Sequence, residues 1–65
     1  LKRNNMTQAE VNAIKEFAEE YFCNPYMIAE EWEAFKDNYE EINDYLYDLQ
    51  ITGNYDVFQD NSLEM

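Results

Sequence analysis

The sequence predicts a small all-α protein, a helical hairpin or bundle with a C-terminal segment packed back against it. Three observations carry that expectation. Ile28, Trp32, Phe35, Tyr39, Ile42, Leu46 and Leu49 recur at alternating steps of four and three, an unbroken heptad seam. A second apolar stripe with helical period precedes it, between Val11 and Phe22. The single proline, Pro25, and the single glycine, Gly53, stand where such helices would begin and end.

The first helix is expected over residues 8–23. Thr7-Gln8-Ala9-Glu10 fits a capping box, in which Thr7 and Glu10 satisfy each other's free backbone donors. At about 100° per residue, Val11, Ile14, Phe17, Ala18, Tyr21 and Phe22 share an arc of roughly 140°, wide enough to face a core. Glu16, Glu19 and Glu20 fall outside it. Asn24-Pro25 then breaks the helix, because proline disfavours the helical conformation in the residue before it. Asn24 suits the N-cap of a second helix and Pro25 its first position.

The heptad seam predicts one long helix over residues 25–50, about 39 Å at ~1.5 Å per residue. Asp37-Asn38 pairs two poor helix formers and marks where the helix would bend. The seam keeps its phase across that site, which favours a continuous helix. Gly53 suits a left-handed stop. Tyr55, Val57 and Phe58 then fit a short segment that folds back over the open side of the hairpin. The folded unit is expected to span residues 7–59. Residues 1–6 read as a leader, with Met6 the natural start and Leu1–Asn5 either added or the end of an upstream segment. Residues 60–65 read as a frayed terminus.

Composition narrows the function. The chain has 65 residues and a formal net charge of −11, which disfavours DNA, RNA and anionic membrane as direct partners and favours a basic protein surface. Aromatic residues make up 17% of the chain, too many for an acidic disordered tail. There is no histidine, so no Ser-His-Asp triad and no histidine metal site. One glycine cannot build a phosphate-cradling loop. The run Asn54 to Asn61 lacks the ligand spacing of an EF-hand. Cys23 stands alone, which excludes an internal disulfide and fits a small buried hydrophobe at a helix end. The expectation is therefore a protein that is not an enzyme and takes no cofactor or metal. No apolar run reaches membrane-span length and no signal-peptide pattern is present, which points to the cytoplasm of a bacterium or of a host cell.

Residues 24–50 hold eight carboxylates against Lys36 alone. On a continuous helix Glu33, Asp37, Glu40 and Asp44 would project from one face at axial steps of roughly 4.5–6 Å. Phosphates along one DNA strand are of order 6–7 Å apart. The candidate partner-binding surface is therefore Glu30, Glu33, Asp37, Glu40, Glu41, Asp44, Tyr45 and Asp48. Tyr45, Tyr47 and Tyr26 are expected to be exposed and to add contact area. In charge, size and helix content the chain resembles the small acidic DNA-mimic inhibitors of phages and mobile elements, which include antirestriction and anti-CRISPR proteins. No motif carries the resemblance, so it assigns no residue a role. It implies an inhibitor that blocks the basic groove of a nuclease or other nucleic-acid-binding protein.

A second reading competes with the first. Charged runs on helices usually serve as solvated faces. The chain would then be a helical interaction module or subunit that associates, with itself or a partner, through the seam from Ile28 to Leu49. The residues flanking the seam argue for an intramolecular core instead, since they lack the opposed charges of a two-stranded coil. The scarcity of lysines, with Lys15 and Lys36 nearly alone, favours the mimic. Like charges three and four residues apart destabilise a helix, and a face built for solubility usually mixes signs.

Overall fold

A computed structural model describes residues 6–59. It is all-α, as the sequence predicts: α1 (Gln8–Tyr21), α2 (Pro25–Phe35) and α3 (Ile42–Thr52), with 3-10 turns at Lys36–Asn38 and Asn54–Phe58. The assignments of Leu1–Asn5 and of residues 60–65 lie outside the described residues. Met6, expected in the leader, is half-buried against the core.

The helix ends follow the local sequence. Thr7 Oγ1 accepts from the Glu10 amide at 3.1 Å and a Glu10 carboxylate oxygen accepts from the Thr7 amide at 3.1 Å, which completes the capping box. At the far end of α1 the chain turns on Phe22, whose φ of 59° is left-handed. Its amide donates to the Ala18 carbonyl, and the Cys23 amide donates there too at 2.9 Å. That turn also removes Phe22 from the α1 stripe. Expected in the core, it is 77% exposed. Asn24 caps α2 through its side chain, which accepts from the Tyr26 amide at 2.9 Å, and Pro25 fills the first helical position. Gly53, at φ 76°, stops α3 and donates to the Leu49 carbonyl at 3.0 Å.

The long helix is not continuous. It stops at Phe35, passes through the 3-10 turn, and runs extended at Tyr39 (φ −132°, ψ 153°) and Glu41 (φ −150°, ψ 165°) before α3 begins. The break falls at the weak pair Asp37-Asn38 and is more than a bend. Two physical reasons favour it. A continuous helix would place Asp37, Glu40, Glu41 and Asp44 at repulsive spacings of three and four. It would also outrun α1, whose 14 residues span about 21 Å, and leave half of the apolar seam in water. With the break, α1 packs against both α2 and α3.

The seam residues therefore meet inside one chain. Ile28, Trp32, Ile42, Leu46 and Leu49 are buried with Ile14, Phe17, Ala18, Cys23, Tyr45 and Phe58. Burying each large side chain contributes about 1.5–3 kcal/mol. Phe35, expected in the seam, lies beside the break and is 45% exposed. The seam is thus core, and it offers no continuous apolar face for the self-association considered above.

The tail closes the fold. The Asn24 amide donates to the Phe58 carbonyl at 2.7 Å, and Gln59 pairs antiparallel with Cys23 in an isolated bridge. Gln59 Nε2 donates to the Tyr21 carbonyl at 2.8 Å. Tyr55 stacks at 4.6 Å on Tyr21, which stacks at 4.6 Å on Phe17. The predicted fold-back is a 3-10 segment that staples the corner between α1 and α2. The Cys23 thiol is buried there, and burial pushes its pKa up.

Candidate functional site

The break in the seam decides where the carboxylates stand. Glu30 is exposed on α2. Asp37 sits in the 3-10 turn, Glu40 and Glu41 in the extended link, and Asp44 in the first turn of α3, all exposed. The regular axial ladder expected along one helix is therefore absent, because its four members occupy three different backbone conformations. What remains is a dense acidic corner between α2 and α3. Asp44 has a local structural use there, since a carboxylate favours a helix N-terminus. Glu41 is the N-cap of α3 but makes no side-chain capping bond.

The other predicted residues have internal partners or are buried. Glu33 pairs with Lys36 at 3.3 Å, which offsets its charge. Asp48 is half-buried and accepts from the Tyr39 hydroxyl at 3.0 Å. Tyr45, expected on the surface, is 5% exposed and forms the centre of a second aromatic cluster. Its ring lies 5.5 Å from Trp32 and 5.5 Å from Tyr39. Tyr45 flanks the seam on α3, and the buried arc there is wider than the seam, so residues 42, 45, 46 and 49 face inward together. Tyr26 and Tyr47 are exposed as expected, at 81% and 61%.

The break also builds something that sequence reasoning missed. A groove of about 400 Å³ lies between the end of α2, the link, α3 and the tail. Phe35, Leu49 and Val57 supply apolar walls, and Glu31 and Asp48 supply carboxylates. Tyr39 and Tyr45 line it as well. Its chemistry is visible in the perturbed tyrosines. Burial, and after it the Glu31 charge and Tyr39, pushes the Tyr45 hydroxyl up to about 12. The hydrogen bond to Asp48, then burial and the Asp48 charge, raises Tyr39. The Tyr45 hydroxyl is sealed from solvent and has no hydrogen-bond partner among the described residues. The Tyr39–Asp48 pair spans nine positions, a separation no helix brings into contact, so the sequence carried no signal for it.

Among the described residues no three His, Cys, Asp or Glu side chains converge as a metal site would require. No helix there is long and apolar enough to cross a membrane. Compared with protein-family models, curated proteins and solved structures, the chain matches none of them.

Proposed function

We propose that this chain is a small acidic binding protein that occupies the basic groove of a nucleic-acid-binding protein and so competes with nucleic acid for it. One observation carries the reading. Glu30, Asp37, Glu40, Glu41 and Asp44 are exposed, and the one ion pair among the described residues, Lys36 with Glu33, neutralises none of them. A net charge of −11 adds long-range attraction to a basic surface and accelerates encounter with it. The likeness to nucleic acid rests on charge density at the acidic corner and no longer on a phosphate-like repeat along a helix. A cytoplasmic setting, where nucleases and restriction or CRISPR-type effectors work, goes with this reading. The role is that of an inhibitor with no catalysis of its own.

The interaction-module reading finds most of its seam, Ile28, Trp32, Ile42, Leu46 and Leu49, in the core, with Phe35 exposed. A module would have to use other apolar residues, such as Phe22, Tyr26 and Met27 at the corner between α1 and α2.

Capture of partners at low and at high salt, followed by competition between the chain and a labelled DNA duplex for the purified partner, tests the proposal. The expected result is mutual exclusion, with affinity that falls steeply as salt rises. Reversal of Asp37, Glu40, Glu41 and Asp44 to lysine is expected to abolish binding. Normal binding by that variant, or simultaneous binding of chain and duplex, would overturn the proposal.

A further inference from the structure

The groove behind the acidic corner combines features that a hydrated helix surface does not need. Its volume of about 400 Å³ lies within the range of roughly 300–1,000 Å³ typical of ligand sites. Two carboxylates, Glu31 and Asp48, line it beside the apolar walls of Phe35, Leu49 and Val57. Asp48 is held in place by the Tyr39 hydroxyl through Oδ2 at 3.0 Å, which leaves Oδ1 for a further donor. Tyr45 lines the same groove, is more than nine-tenths buried, and carries a hydroxyl with no partner among the described residues. An isolated buried hydroxyl is a standing cost unless something supplies its hydrogen bond.

We propose that this groove receives an arginine side chain of the protein partner, with the guanidinium set between Glu31 and Asp48 and the aliphatic stem laid along Phe35, Leu49 and Val57. Arginine suits each element of the groove. Its stem packs on apolar surface while its head stays polar. Its planar head carries five N–H donors in a fixed fork, enough for two carboxylates together. The Tyr39 ring adds a face for the cation. Lysine offers a compact charge with three donors and cannot serve separated acceptors through one plane. Charge complementarity selects a cation over any anionic or neutral occupant. The proposal deepens the reading of a basic partner and rests on it for where the arginine comes from. It names the arginine as a buried anchor, with the exposed acidic corner guiding approach.

The probe is N-acetyl-arginine amide, titrated into the intact chain and followed by NMR at the aromatic signals of Phe35, Tyr39 and Tyr45. The lysine and citrulline analogues serve as controls, citrulline having the same shape without the charge. Saturable shifts at the groove are expected with arginine and not with citrulline. E31Q and D48N are each expected to weaken binding about tenfold, the loss of one charge-assisted hydrogen bond. E40Q, outside the groove, is expected to leave it unchanged. Because Asp48 also holds Tyr39, E31Q provides the cleaner variant, and thermal melts check that both remain folded. Equal shifts with arginine and citrulline, or binding unaffected by E31Q and D48N, would overturn the proposal. The assay contains no nucleic-acid-binding protein. A chain that takes arginine in the groove yet fails to compete with DNA therefore refutes only the proposed function. A chain that competes with DNA yet leaves the groove empty refutes only the anchor.

Discussion

Replacing Tyr45 with phenylalanine should make the protein more stable, and the size of the gain follows from the surroundings of one oxygen atom. Tyr45 is 5% exposed, its hydroxyl is hidden from solvent, and no donor or acceptor among the described residues meets it. The ring makes the packing contacts, at 5.5 Å from both Trp32 and Tyr39, and phenylalanine keeps the ring. A buried hydroxyl without a partner costs about 1–3 kcal/mol, so Tyr45→Phe is expected to gain about 1–2 kcal/mol. With a urea dependence near ~1 kcal/mol per M for a chain this small, the unfolding midpoint rises by about 1–2 M. The melting temperature rises by about 4–8 °C per kcal/mol. A second signature lies in the alkaline limb. The folded protein holds Tyr45 neutral, with its pKa raised from 10.0 to about 12. A group raised in this way contributes stability that is fully present below pH 10 and is lost as pH climbs through about 12. In Tyr45→Phe that loss disappears, and the contributions of Tyr39, Tyr21 and Cys23, all raised, remain. Urea unfolding at neutral pH and across pH 9 to 12 measures both effects. A variant less stable than the parent at neutral pH, or alkaline limbs that run parallel, would show that the hydroxyl has a partner and that the reasoning fails.

Neutralising the acidic corner with Asp37→Asn, Glu40→Gln and Glu41→Gln should stabilise the fold at low ionic strength. The advantage should shrink as salt is raised towards about 1 M, where the screening length falls to about 3 Å. Chemical unfolding at several salt concentrations reads it. Phe22→Gly should add about 0.5–1 kcal/mol, because glycine adopts the left-handed turn without strain and the lost ring is mostly in water. A thermal melt is sufficient to test this. Phe58→Ala should cost about 3–5 kcal/mol, a large part of the ~3–10 kcal/mol available to a chain of this length. Its near-UV circular dichroism should weaken together with the protection of the Asn24 amide, which donates to the Phe58 carbonyl.

Much of the fold was legible in the residues because much of it is decided locally. Thr7, Glu10, Asn24 and Gly53 set helix ends through bonds to neighbours no more than four positions away, Pro25 does so by its fixed φ at the first helical position, and all five act as read. The break at 36–41 was harder. A heptad seam keeps its phase equally well through one long helix and through two helices joined by a short link, so periodicity could not tell them apart. The exposure of Phe35 follows from that single ambiguity, since it lies beside the break; Tyr45 was misplaced because the buried face of α3 is wider than the seam it flanks. Phe22 failed for another reason. A left-handed turn normally asks for glycine, and nothing in the residue type announced that phenylalanine would adopt it.

The sequence by itself determined the helical class, the cap positions, the excess of carboxylates and the residues greasy enough to form a core. These depend on side-chain chemistry and on short-range spacing. Only the tertiary structure decided that α3 folds back on α1, that the Tyr39 hydroxyl meets Asp48, and that Glu31, Phe35 and Val57 come to face one groove. Those outcomes depend on how a 14-residue helix can shield the 22-residue apolar stripe from Ile28 to Leu49, a competition between burying surface and keeping backbone hydrogen bonds that is settled across the whole chain.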